Sequence, residues 1–299
     1  MDAWWQVVVT APGEATEGVV NFLWEQGAVG VIEEESPAST PAVRAFFPGT
    51  TDADDLAARL RDYVSGLRAL GFRVPLDAAV SALEDPGWAT AWREHFRPRP
   101  VGRTLLIAPP WDPIAAAGRH TIVIEPGRAF GTGQHATTVG CLERLEDVVD
   151  AGAPARALDL GTGSGILAIA AARLGVIDVL AVDDDPDAVE NARVNTERNG
   201  VAARVRCLVA DAATVDTGTT PLVLANLLAP LHRRLAGRYT DLVAPAGTAI
   251  LGGILDGEAD ELEAHVARRG FAPVARLSRE GWTTLELRRS AHASLHPRA

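Results

Sequence analysis

The chain of 299 residues contains no lysine, and all 28 of its basic residues are arginine. Biased codon usage is the simplest account of that, so no function is built on it. Cysteine is nearly as scarce: Cys141 and Cys207 alone leave no disulfide framework and no cysteine-based metal cluster. Nor do the seven histidines stand at metal-ligand spacing, so no metal is expected. No apolar run reaches the ~18 residues of a membrane span. The longest, Ile166 to Val182, is broken by Arg173 and Asp178. The opening MDAWWQVVVT has an acid where a secretory leader carries basic residues, so a cytoplasmic protein is expected.

What remains is an ordinary globular mix, 47% hydrophobic and 22% charged, which excludes disordered and fibrous chains. At roughly 150 residues per domain, the length suggests two domains. A net charge of −11 argues against direct nucleic-acid binding and favours a basic partner. The charge is uneven: residues 1–86 hold 14 acids and 5 arginines, whereas 87–299 hold 25 and 23.

Residues 1–86 read as β-α-β-β-α-β, with strands near 4–10, 28–34, 42–47 and within 72–83, and helices over 14–26 and 52–70. Leu56, Leu60, Val64 and Leu67 mark the second helix by their spacing. Two helices on one face of an antiparallel sheet make a small α+β, ferredoxin-like domain. Residues 87–103 read as a linker. Within the segment Asp85 to Gly102, Trp88 and Trp92 share a helical face, and Pro98 and Pro100 stiffen the exit. Aromatic packing in a strut and direct positioning of substrate both fit it. Over 104–290 strands alternate with helices, the pattern of a parallel sheet with crossover helices. Helices are expected near 138–149, 165–174, 186–199, 229–242 and 257–269. Strands are expected near 104–108, 120–125, 155–160, 178–183, 204–209, 221–225, 248–253, 271–277 and 282–288. Residues 291–299 read as a frayed tail.

The strongest local signal is ARALDLGTGSGILAIAAARLG. A strand ends at Asp159, Gly161, Gly163 and Gly165 make a bend, and an alanine-rich helix begins. Such glycines let a ligand approach the backbone, and the helix start offers free N–H groups. Dinucleotide sites use G-x-G-x-x-G. Here the third glycine follows the first by four residues and an acid precedes the first by two, a pattern suited to a nucleoside with a charged amino-acid arm. The next strand ends in Asp183, placed to accept from both ribose hydroxyls. Asp184 and Asp185 are alternatives, although Asp185 before Pro186 reads as a helix cap. Asp211, after the following strand, is either a contact to the adenine edge or a plain loop carboxylate.

These features resemble class I S-adenosylmethionine-dependent methyltransferases. The segments WREHFRPRPVG, IEPGRAFGTGQHATT and LANLLAP narrow the resemblance to the PrmA family, bacterial enzymes that methylate amines of large-subunit ribosomal protein eleven. It covers about residues 2–289. It implies a Rossmann-like methyltransferase domain, S-adenosylmethionine as cofactor, and a basic ribosomal protein bound by the acidic first domain. A monomer is expected. Cofactor contacts would fall on Thr138, Gly161, Asp183 and Asn226, with Gly163, Gly165, Asp211 and the Phe130-Gly131-Thr132 run beside them. Two positions depart from the family's loop: Gln134 stands for a threonine and Ala136 for a proline. Thr138 is also a candidate cap for the helix it precedes.

Asn226 is the reactive-centre candidate. Many amine and adenine methyltransferases place N-P-P-[YF] here, where this chain has Asn226-Leu227-Leu228-Ala229. Methyl transfer from a sulfonium is an in-line displacement, so the nitrogen must arrive neutral with its lone pair aimed at the methyl carbon. The Asn226 amide oxygen and a nearby backbone carbonyl, with Leu227 the candidate, can each accept an amine proton and fix that direction. Leucines in place of a Tyr or Phe remove the clamp for a flipped base and tolerate an amine that loses N–H donors, so repeated methylation up to the trimethyl form is expected. His135 is either a base for the incoming amine or a loop-ordering residue. Glu33-Glu34-Glu35 is either a docking patch or solvated charge at a strand end. Competing readings are an oxidoreductase, disfavoured by the glycine spacing, a non-catalytic cofactor-binding module, and an RNA methyltransferase, disfavoured by charge.

Overall fold

The structure, a computed structural model, describes residues 4–11, 13–28, 30–34, 42–69, 78–83, 96–125, 133 and 135–291. The chain divides into two compact units, one drawn from 1–97 and 126–128, the other from 98–125 and 129–299.

In the first unit β1 (Trp4–Thr10), α1 (Gly13–Glu25), β2 (Gly30–Glu34), β3 (Ala42–Pro48), α2 (Ala53–Ala69) and β4 (Ala78–Leu83) follow in turn. The strands lie in the order β2-β3-β1-β4, antiparallel throughout. This is the ferredoxin-like arrangement expected from the sequence. Alternation buries Val7 and Val9 of β1 and Val43, Ala45 and Phe47 of β3, and they share one core with Leu56, Leu60 and Val64 of α2. Asp52 caps α2, its carboxylate accepting from the amides of Asp54 and Asp55 at 3.0 and 3.1 Å.

The second unit opens with a three-stranded sheet, β5 (Arg99–Val101), β6 (Leu105–Ala108) and β7 (His120–Val123). The strand β5 was not expected, because Pro98 and Pro100 mark the segment as a stiff exit. Pairing with β6 alone makes β5 an edge, where a proline's missing N–H costs no ladder bond. Buried Glu146 fastens the β5–β6 turn by accepting from the amides of Arg103 and Thr104, both at 2.7 Å.

Then come α3 (Ala136–Asp150), β8 (Arg156–Leu160), α4 (Ile166–Leu174), β9 (Asp178–Asp183), α5 (Pro186–Arg198), β10 (Val205–Val209) and β11 (Thr220–Asn226). The chain continues through α6 (Ala229–Leu242), β12 (Val243–Leu255), α7 (Asp256–Ala267), β13 (Phe271–Arg279) and β14 (Trp282–Arg289). The strands form one sheet in the order β10-β9-β8-β11-β12-β14-β13, with β14 antiparallel to both neighbours. This is the Rossmann-like α/β layout expected from the sequence. The order reverses between β8 and β11, and ligands of open α/β sheets bind at the carboxyl ends of strands at such a switch point. Two apolar clusters cover the faces of the sheet. Ile166 to Ala172 of α4 are all buried, as befits a helix apolar on every side.

Two boundaries differ from expectation. β12 starts five residues early because Val243 already pairs with Thr220. α3 starts at Ala136 with His135 as its cap, whose Nδ1 accepts from the Thr137 amide, so Thr138 lies inside the helix and does not cap it. Asp185 does cap α5, with Pro186 in the first helical turn. Among the described residues no helix is long and apolar enough to cross a membrane. Trp88, Trp92, Phe130, Gly131, Thr132, Gln134 and Glu35 lie outside the described residues.

Candidate functional site

The carboxyl ends of β8, β9 and β11 converge on one place. After β8 the chain turns through Gly161, Gly163 and Gly165, with φ of 66°, 52° and 82°, a left-handed region that residues with a Cβ rarely adopt. A Cβ on Gly161 would run into Leu227, and one on Gly165 would lie 3.1 Å from the Ala192 Cβ. Gly165 caps α4 with no side-chain bond, so the helix presents its first amides to the loop.

Asp183 at the end of β9 closes this loop from below. One carboxylate oxygen accepts from the Gly163 amide at 2.9 Å and the other from the Asp185 amide at 3.1 Å. Burial raises its pKa and those two amides pull it back. Each oxygen keeps lone-pair capacity for a further donor. Asp159 lies deeper, 1% exposed. Its Oδ2 accepts from the Thr162 hydroxyl at 2.7 Å, while Oδ1 is buried with no partner. Burial pushes the Asp159 carboxyl up to about 7. Asp211 accepts from the Ala213 amide at 2.8 Å and pairs with Arg234 at 3.4 Å.

Asn226, the last residue of β11, stands on the α3 side. Its Nδ2 donates to the hydroxyls of Thr137 and Thr138 at 3.2 and 3.3 Å, and its Oδ1 is buried without a partner. The amide is thus fixed in one orientation, with its oxygen left without a protein partner. Leu227 follows, its N–H bonded to the Gly252 carbonyl at 3.1 Å. His135 lies beside this group, with Nδ1 2.8 Å from the Thr137 hydroxyl and its ring edge-on to Trp282 at 5.2 Å. Cap, hydroxyl and amide form one chain: His135 orients Thr137, and Thr137 orients Asn226.

Asp159, Asp183 and Asn226 all present acceptors. That set fits S-adenosylmethionine, whose ribose hydroxyls and ammonium are donors and whose sulfonium is cationic. The two buried oxygens without partners, Asp159 Oδ1 and Asn226 Oδ1, are the sites such donors would satisfy.

The family described as Ribosomal protein L11 methyltransferase (PrmA) matches residues 3–290. The chain belongs to this family. Ribosomal protein L11 methyltransferase of Geobacter sulfurreducens is 40% identical, over 95% of this chain and 98% of that protein. The protein of the same name from Trichlorobacter lovleyi is 36% identical over 96% and 98%. Among solved structures, ribosomal protein L11 methylase of Lactobacillus delbrueckii subsp. bulgaricus superposes with a TM-score of 0.61 at 28% identity. It covers 65% of this chain and the whole of that one.

Reading the family motifs alone misses three contributors. Thr137, within the loop segment, shares the Asn226 amide with Thr138. Gly252 and Gly253 form the β12 irregularity opposite Asn226 and Leu227. A Cβ on Gly252 would lie 2.9 Å from Asn226 Oδ1, and one on Gly253 2.8 Å from the Leu227 carbonyl carbon. The signal was present, since paired glycines inside a strand mark a bulge or a close backbone approach. Asn199 is the third: its side chain takes both backbone groups of Val123, at 2.7 and 2.8 Å, and so holds β7 by a side-chain imitation of a strand.

Proposed function

We propose that this chain is a cytoplasmic enzyme that transfers methyl groups from S-adenosylmethionine to amine nitrogens of ribosomal protein L11. The observation that carries the reading is the Asn226 amide, pinned by two threonine hydroxyls with its oxygen buried and unpartnered, in a chain of the L11 methyltransferase family. When bound, S-adenosylmethionine supplies an electrophilic methyl carbon on a cationic sulfonium.

The protein's part is binding and aim. Asp183 accepts from the ribose hydroxyls, and the glycine loop with Gly161 and Gly163 admits the ligand to the backbone. Thr138 serves through Asn226, whose amide it holds. Asn226 Oδ1 accepts a proton of the acceptor amine, whereas the Leu227 carbonyl, the other expected acceptor, lies against Gly253 and His232. That contact through Asn226 turns the nitrogen lone pair toward the carbon under attack. Orientation of this kind is worth effective molarities of ~10⁵ M or more. A lysine, with an ordinary pKa of ~10.4, must arrive neutral, and a desolvated site beside a cation favours that form. The acidic residues 1–86 would dock the basic ribosomal protein, with Glu33 and Glu34 at the end of β2. The leucines after Asn226 leave room for repeated methylation of one nitrogen, to the trimethyl form.

The test offers labelled S-adenosylmethionine and unmethylated large-subunit ribosomal proteins to the wild type and to Asp183→Ala. Label on L11, absent with the variant and resolved as trimethylated amine by mass spectrometry, is expected. No label on any ribosomal protein despite measurable cofactor binding would overturn the substrate, and monomethyl product alone after exhaustive reaction would overturn the repeated transfer.

A further inference from the structure

Behind Asn226 and Leu227, on α6, lies a histidine that no step above uses. His232 is 0% exposed. Its Nε2 is 2.8 Å from the Gly252 carbonyl and its Nδ1 2.7 Å from the Tyr239 hydroxyl. A carbonyl only accepts, so Nε2 carries the proton; in a neutral ring Nδ1 is then the acceptor and Tyr239 donates. Burial holds the ring neutral, its pKa lowered to about 4, while the Gly252 and Leu227 carbonyls favour the proton. Burial likewise raises Tyr239 and keeps its hydroxyl protonated. The direction of both hydrogen bonds is therefore set.

The Gly252 carbonyl that His232 grips is the one that accepts the Leu227 N–H. Gly252 pairs with Asn226 in the β11–β12 ladder, and Gly253, at φ 77°, has the Leu227 peptide pressed against it. Asn226-Leu227 thus has no glycine and no cap of its own, and its backbone rests on a carbonyl that α6 anchors from behind. We propose that the Tyr239–His232–Gly252 relay is a positioning device for the acceptor amine, fixing the Asn226-Leu227 backbone from which the Asn226 amide oxygen aims the nitrogen. The consequence for transfer rests on the methyltransferase reading; the consequence for the Leu227 backbone does not.

Two variants test it. His232→Gln keeps one donor and one acceptor at similar reach. The double variant His232→Met with Tyr239→Phe removes both polar partners and keeps apolar volume, a replacement that is nearly neutral for stability. Hydrogen exchange at the Leu227 amide reads the backbone directly, whether or not cofactor is bound. In the double variant, Leu227 exchange is expected to quicken about tenfold with the melting temperature held near wild type. Turnover should fall about tenfold, with KM for S-adenosylmethionine within about twofold of wild type, the split that marks an interaction felt in the transition state. His232→Gln should restore both to within about threefold. Wild-type exchange at Leu227 in the double variant overturns the relay, as does tenfold faster exchange in His232→Gln. Fast exchange with wild-type turnover overturns its role in aiming the amine. A wild-type protein that transfers no methyl group would instead defeat the methyltransferase reading, and the exchange result would still decide the relay.

Discussion

The loop after β8 and the loop after β11 close the same end of one sheet by opposite means. The first carries its own geometry: Gly161, Gly163 and Gly165 are left-handed, and Asp183 staples the middle one. The second, Asn226-Leu227-Leu228, has no unusual residue. Its shape is imposed by Thr137 and Thr138 from α3, Gly252 and Gly253 from β12, and His232 from α6. The self-contained loop suits a cofactor common to many enzymes. The borrowed one places geometry where neighbouring segments can adjust it, which suits the part of the site that differs between acceptors.

The largest expected effect is on the self-contained loop. Asp183→Ala removes a charged acceptor from two loop amides and, on the proposed reading, from the ribose hydroxyls, and hydrogen bonds to charged groups are worth about 1.5–3 kcal/mol each. Titration calorimetry should find S-adenosylmethionine affinity reduced at least about 100-fold. An affinity within threefold of wild type would show that the ribose is held elsewhere. Asn226→Ala should divide differently. Turnover falls about 100-fold, the cost of a misaimed reacting group, and cofactor affinity falls by less than tenfold. Equal losses in both would erase the distinction between the loops.

That distinction also governs what was legible in the sequence. A glycine spacing and an acid at a strand tip lie within one short stretch, so the Gly161, Gly163 and Gly165 bend and the placing of Asp183 at the end of β9 were readable. The strand and helix order was readable too, because hydrophobic periodicity is local, and the two larger sheets came out in the expected layout. Asn226 was legible as a position but not as an oriented group, because its orientation depends on hydroxyls 88 and 89 residues away. His232 was passed over among scattered histidines: nothing near it in sequence marks a partner 20 residues on. β5 was hidden by its prolines, which exclude a central strand but not an edge. Asp211 was legible as a candidate, but its partners Ala213 and Arg234 were not, since Arg234 lies 23 residues on.

A third variant tests whether the borrowed geometry is as tight as it looks. At Gly253 a Cβ meets the Leu227 backbone and φ is 77°. Strain of that kind costs about 1–3 kcal/mol, so Gly253→Ala should lower stability by that amount in chemical denaturation and slow turnover about tenfold through a displaced Leu227. Wild-type turnover with lowered stability would mean that Leu227 can shift without misaiming the amine.

The last effect separates the loops by sign. Each rests on one buried ionisable group held toward its neutral form, Asp159 under the glycine loop and His232 under the other. Asp159 titrates at about 7 when folded and near ~3.9 when unfolded. Its stabilisation is full below pH ~4 and is lost as pH rises toward 7, where the unfolded chain releases a proton that the fold retains. His232 titrates at about 4 when folded and near ~6.5 when unfolded. Its contribution is full above pH ~6.5 and is lost as pH falls toward 4. Between pH ~4 and ~6.5 the slopes oppose, each at most about 1.4 kcal/mol per pH unit. Asp159→Asn leaves the histidine slope, so stability relative to wild type should climb with pH. His232→Gln leaves the carboxyl slope, so relative stability should decline. Denaturation midpoints at three pH values across that window decide it; relative slopes of the same sign in both variants would mean that one of these groups is not buried in the form its surroundings favour.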